Sequence, residues 1–259
     1  MSSALSTQVG FLIRRSMLRT LRQPAAVIPS ITFPLILFGI NAGGLAAAAQ
    51  IPGFPADSYL DFIFAFPFIQ GALFGATMAG GDLARDIETG FLNRLSLTPV
   101  SRVALLAGLM GGVVGLALLQ GLVFVTVGVL AGVQFAAGVG GVAVMLVLMA
   151  LTALGFGGLG AWLAVRTGSG EAVQGAFPLF FVAIFLSSVN LPRELIAVDW
   201  FRAVATWNPV SYLIEGMRSL VITGWDPTAL ALAFAVAAAL VVLGLTAAAA
   251  GMRTRLGRT

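Results

Sequence analysis

Asp82, Asp86 and Glu88 lie within seven positions of one another. With Arg85, Arg94 and Arg102 they make residues 82–102, DLARDIETGFLNRLSLTPVSR, the densest run of charge in a chain that is only 9% charged. Three neighbouring carboxylates suggest oxygen ligands for a hard cation. Arg85 stands among them, however, and acids at a helix start are the ordinary solvated complement of its positive end, so no metal site is assigned. Other chemistry is excluded by absence. All 14 basic residues are arginine, and there is no lysine, histidine or cysteine. A GxxxxGK[ST] phosphate loop is therefore impossible, as are the usual zinc, haem, iron–sulfur and Cys/His or Ser/His arrangements. No catalytic residue is expected, and disulfides cannot form.

The surroundings of the charged run are oily. Of 259 residues, 59% are hydrophobic, and the mean hydropathy is +1.03. A soluble domain carries roughly 25% charged residues; this chain lacks the polar surface to remain in water. It reads as a single all-α integral membrane domain over 1–259. The pI of about 11.0 comes from a net charge of only +4, a poor footprint for nucleic acid, and no nucleic-acid partner is expected.

A crossing helix needs ~20 apolar residues to cover ~30 Å of hydrocarbon. Charge-free intervals run over 23–56, 62–81, 103–165, 172–192 and 227–252. The third is too long for one helix, and its glycine-rich middle, AGVQFAAGVGG at 131–141, predicts a tight turn. Six crossings follow, at about 24–45, 59–81, 99–130, 140–165, 172–192 and 227–251. Before them the Ser- and Arg-rich start superficially suggests an organellar transit peptide, but residues of about 4–22 read as an amphipathic lead-in helix. Leu5, Val9, Leu12 and Ile13 share one face and Arg15, Arg19 and Arg22 another, with Phe11 and Leu18 among the arginines. Such a helix lies in the headgroup layer, which makes membrane lipids a partner. With both termini cytoplasmic, eleven arginines fall inside and only Arg193, Arg202 and Arg218 outside, as the positive-inside rule requires. The location expected is the plasma (inner) membrane.

Residues 193–226 carry seven charges and are read as short outer-face helices. A seventh crossing would place Glu215 and Arg218 near its centre at ~3 kcal/mol each. Trp200, Trp207, Trp225 and Tyr212 suit an interface. Asn208-Pro209 supplies an N-cap and first turn, and Glu215 is expected to pair with Arg218 on the helix surface. GxxxG matches such as Gly108/Gly112 are about as frequent as 32 glycines give by chance, and so carry little weight for a helix-packing face.

The charged run now falls between the second and third crossings. Ile87, Phe91 and Leu95 recur at i, i+4 and i+8, predicting an apolar stripe on a short helix, which Gly90 weakens by ~1 kcal/mol. Thr98-Pro99 reads as the cap and first turn of the third crossing. A solvated connector would need only a few residues. An apolar stripe on an exposed connector calls for a partner, lipid or protein.

The stretch GGDLARDIETGFLNRLSLTPVSRVALLAG resembles the corresponding loop of ABC-2-type permeases, the membrane subunits of daunorubicin-type drug-resistance exporters. Arg22-Gln23-Pro24 followed by ITFPLILFGI resembles that family's first crossing, and FPLFFVAIFLSSVNLP with WNPVSYLIEGMRSL its last third. The resemblance implies the transport half of an ATP-binding-cassette exporter moving a hydrophobic or amphiphilic cargo (a drug, lipid or glycolipid). ATP and Mg2+ would be held by two copies of a separate ATPase, and this chain would bind no cofactor. A second permease chain, identical or homologous, would complete the transporter. By motif position, Glu88, Gly90 and Arg94 carry over to an ATPase-coupling helix, and Arg85 and Asp86 are assigned to it with them. Ile87, Phe91 and Leu95 are assigned as its contact stripe, with Arg15, Arg19 and Arg22 on an elbow helix beside it. Trp207, Asn208, Pro209, Glu215 and Arg218 mark the outer-face segment, where Arg193-Glu194 departs from the more apolar family pattern.

Two other readings remain at this point. An ion-coupled carrier usually keeps an acid deep in the membrane, whereas Asp61 and Glu171 lie near the ends of their crossings. A non-transporting membrane assembly or immunity protein is compatible with the residues as they stand.

Overall fold

The computed structural model describes residues 2–91, 94 and 102–256. Its elements, in order, are α1 (Ser2–Leu21), α2 (Pro24–Gly44), α3 (Tyr59–Ile63), α4 (Phe66–Glu88), α5 (Arg102–Ala131), α6 (Gly138–Thr167), α7 (Gly170–Phe185), α8 (Asp199–Trp207), α9 (Pro209–Ile222) and α10 (Pro227–Leu256). Short 3-10 turns occupy Ala46–Gln50 and Arg193–Leu195. Among the described residues no strand occurs.

Among the described residues, five helical stretches are long and apolar enough to cross a membrane: Pro24–Gly44, Tyr59–Glu88, Val103–Ala131, Gly138–Thr167 and Pro227–Arg255. The glycine-rich 131–141 region turns where expected, with Gly132 and Gly138 at positive φ. Two elements differ from the sequence reading. The stretch expected as a crossing at 172–192 forms only the 16-residue α7, about 24 Å at 1.5 Å per residue. Its end is satisfied from outside: Asn208 Nδ2, just before α9, donates to two of the carbonyls left there, Ala183 O at 2.6 Å and Leu186 O at 3.0 Å. Conversely, α4 runs to Glu88, past the expected boundary at 81, since no Gly or Pro interrupts Asp82–Glu88.

Small residues decide how the helices meet. α4 is the central strut, with Phe66 through Leu73 entirely buried. On α6, a Cβ added to Gly160 would stand 2.1 Å from Ala76 O of α4, and one on Gly158 would stand 2.5 Å from Gly244 C of α10. α6 is thus clamped between α4 and α10 at backbone distance. The glycines of α5 seat α1: a Cβ on Gly108 would lie 2.4 Å from Leu12 Cβ, on Gly111 2.5 Å from Ile13 Cγ1, and on Gly112 2.1 Å from Ser16 Oγ. The Gly108/Gly112 spacing, discounted on frequency, is the seat of the N-terminal helix. Chance counting cannot see which face a glycine occupies. Gly112→Leu should unseat α1, at ~1–3 kcal/mol for overpacking, and be read as faster tryptic cleavage near Arg14 and Arg15. Gly39→Leu, where nothing lies within 4 Å of the added Cβ, should cleave as the parent does.

Candidate functional site

The last turns of α4 are a junction of three helices. Asp82 and Asp86, one helical turn apart, both face α1. Arg19 spans them, its Nε 3.1 Å from Asp82 Oδ1 and its Nη1 2.8 Å from Asp86 Oδ1. Arg15 Nη2 stands 3.8 Å from the same Asp86 oxygen. Its guanidinium carbon also lies 4.3 Å from the centroid of the Phe91 ring, a cation–π distance. Glu88 Oε1 accepts from Gly170 N of α7 at 3.0 Å, using one of the orphan N–H groups that a helix start presents to anions. Ser169 Oγ accepts a second, from Ala172 N. A single helical end therefore grips the elbow helix through Arg19 and Arg15, and α7 through Glu88.

Gly90 then breaks the helix, at φ +67°, a conformation that glycine adopts without strain. Phe91 and Arg94 are helical beyond it, Arg94 N donating to Gly90 O at 3.1 Å and Arg94 Nη2 to Thr89 O at 3.2 Å. The expected continuous stripe is thereby split. Ile87 stays on α4, partly buried against the core, whereas Phe91 belongs to the next turn, beside Arg15. Leu95 and Thr98-Pro99 lie outside the described residues. Arg85, Arg94 and Arg22 are exposed.

Beside this junction opens a cleft of about 640 Å3 between α2, α4 and α7, lined by Gln23, Pro29, Phe74, Asp82, Glu88 and Glu171 among others. Phe74 begins an aromatic run. It lies 6.3 Å from Phe33 and 5.2 Å from Phe177, followed by Phe177–Phe181 at 5.8 Å, Phe181–Phe185 at 5.1 Å and Phe185–Phe66 at 6.0 Å, centroid to centroid. Gln70 falls between Phe66 and Phe74 at i+4 spacing, on the same face of α4. Both its amide atoms are buried without a hydrogen-bond partner among the described residues, against the rule for buried polar groups. Gln120 of α5, by contrast, donates to Ser30 Oγ at 2.9 Å and Ser30 O at 3.1 Å. The sequence reading passed over both glutamines, although a lone amide inside a charge-free interval was a visible signal.

In the segment 193–226, Asn208 Oδ1 accepts from Val210 N at 2.9 Å and Pro209 opens α9, as the Asn-Pro pair predicts. Trp207 is 86% exposed. The expected surface pairing of Glu215 with Arg218 does not occur. Glu215 pairs with Arg193 and accepts from Ser188 Oγ at 2.7 Å. Arg218 points inward and is only 6% exposed. Its Nε donates to Phe62 O at 2.9 Å and its Nη2 to Ser188 O and Val189 O at 3.0 and 2.9 Å, with the guanidinium over the Phe62 ring. The i, i+3 rule fails because three backbone carbonyls left by the end of α7 and by α3 need a donor more than a solvated carboxylate does. Burial lowers the Arg218 pKa, with Glu215 opposing the shift.

Long apolar helices around a backbone-tight core, a lead-in helix packed on α5 and a charged junction at the end of α4 describe a multi-pass membrane protein. The chain belongs to the ABC-2 type transporter family, whose model matches residues 7–222. It is 32% identical over 227 residues to the Pyropia yezoensis protein named "Putative transport permease ycf38", covering 85% of this chain and 75% of that one. Its likeness to the Porphyra purpurea protein of the same name is 26% over 224 residues, covering 85% and 76%. Family members generally work with an ATPase subunit and often as dimers.

Proposed function

We propose that this chain is the membrane half of an ATP-driven exporter. Two ATPase subunits, carrying ATP and Mg2+, press on the segment that begins at Gly90, and a second permease chain, identical or homologous, faces this one. Both termini lie in the cytoplasm of a cell whose plasma membrane is crossed six times, α7 and the turns after it making the fifth crossing. The observation that carries this reading is the α4 junction. Force applied at Phe91 reaches Arg15 directly, and Arg19, Asp82, Asp86 and Glu88 tie that point to α1, α4 and α7 together. α4 and α7 also wall the cleft that Phe74 lines, so a push there would change its width. The cargo is a hydrophobic or amphiphilic molecule (drug, lipid or glycolipid): Phe74, Pro29 and Met78 of the cleft suit its apolar part, and Gln23, Asp82, Glu88 and Glu171 its polar part.

The test is purification of the full chain with a co-expressed ATPase subunit, reconstitution, and ATP hydrolysis measured with and without candidate cargo. Stable co-purification and cargo-stimulated hydrolysis are expected. Transport that survives without ATP but collapses with the proton gradient would instead make the chain an ion-coupled carrier. Failure to retain any ATPase would favour a non-transporting assembly.

A further inference from the structure

Arg14, Arg15, Arg19, Arg22 and Arg85 line one open cavity of about 670 Å3 where α1 meets the start of α2 and the end of α4. Two of the five are neutralised, Arg19 by Asp82 and Asp86 and Arg15 in part by Asp86. Arg14 and Arg22 form no ion pair among the described residues, and neither does Arg85, whose influence on Asp82 is exerted on a carboxylate Arg19 already holds. Three guanidinium groups thus converge on one concavity with no anion among the described residues paired to them, although like charges so placed repel. A guanidinium fork matches a phosphate, two N–H groups to two oxygens.

The rim narrows the source of that phosphate. Phe11 and Leu18 line the same cavity and are 66% and 40% exposed, and one turn into α2 Ile28 is 58% exposed. A free phosphate has nothing to offer these side chains. A glycerophospholipid puts its phosphate among the arginines and its acyl chains along Phe11, Leu18 and Ile28, at the depth where the apolar run of α2 begins. We infer that this cavity is a binding site for one anionic phospholipid, which pins the elbow helix to α4 from the leaflet side. The site shares Arg15, Arg19 and Arg85 with the α4 junction, but its lipid binding does not rest on the ATPase-coupling role: it would exist even if the chain transported nothing.

The full chain, purified and delipidated in detergent, is titrated with short-chain phosphatidylglycerol or phosphatidylcholine, and bound lipid is counted by native mass spectrometry. One tightly held phosphatidylglycerol per chain is expected, with phosphatidylcholine bound far more weakly. The triple substitution R14Q/R22Q/R85Q should weaken phosphatidylglycerol binding roughly 100-fold, about fivefold for each arginine lost at a headgroup surface. It should leave helicity and melting unchanged, since all three side chains are exposed. Arg253→Gln, exposed on another helix, should bind as the parent does. Equal retention of the two lipids, or unaltered preference in the triple variant, overturns the assignment. Binding of inorganic phosphate as tight as that of the lipid overturns it in favour of a soluble ligand. Loss of ATPase binding in the triple variant with phosphatidylglycerol binding intact overturns it in favour of a protein-docking surface.

Discussion

Arg218→Met should destabilise the folded protein by about 3–5 kcal/mol, the range for stripping one partner from a buried charged network. The guanidinium is the donor for Phe62 O, Ser188 O and Val189 O, and methionine fills its volume while leaving all three carbonyls unanswered. Each orphaned acceptor costs ~1–3 kcal/mol, less whatever water can reach it. The three carbonyls belong to α3 and to the turns after α7, so their release would loosen α9 from both. Thermal aggregation of the detergent-solubilised protein, followed by size-exclusion chromatography, should begin well below the parent temperature. Arg193→Met is the contrast. It removes an ion pair whose members are each about a fifth to a quarter exposed, and solvent screening keeps the loss nearer 1 kcal/mol. Equal melting of parent and Arg218→Met would mean that those carbonyls are satisfied some other way.

The second large effect is functional. Phe91→Asp should leave membrane insertion intact and abolish transport. At position 91 an aspartate can still pair with Arg15, so the elbow contact survives in altered form, whereas an apolar contact to a partner ATPase cannot survive a buried carboxylate. Phe91→Ala separates the two roles. It deletes the ring, and an aromatic anchor at the centre of an interface is worth ≥ ~2 kcal/mol, about 30-fold in affinity for the ATPase. Glu88→Ala acts differently, freeing Gly170 N and uncoupling α7 from α4. ATPase binding should then persist while cargo no longer stimulates hydrolysis. Normal export by Phe91→Asp and Glu88→Ala in reconstituted vesicles would remove the coupling role from this junction.

Some of this was legible in the residues. The absence of lysine, histidine and cysteine excluded whole classes of chemistry, because no fold can supply a side chain the chain lacks. Charge-free intervals located the long helices, since hydrocarbon tolerates neither charge nor open backbone. Asn208-Pro209 announced the start of α9, capping being a local matter of one side chain and the next two amides.

What the tertiary structure decided was which neighbour each group answers. Arg218 and Glu215 sit at a spacing that predicts a mutual pair, yet Arg218 turns to carbonyls 29 to 156 residues away, because unpaired backbone buried at a helix end outweighs an exposed ion pair. Gly108 and Gly112 looked like composition until α1 was found lying on them. The charged run around Glu88 looked like a single connector until the left-handed turn at Gly90 divided it into a rigid end of α4 and a separate segment that begins with Phe91. Spacing along a chain fixes which side chains share a face; only the packed helices determine what that face meets.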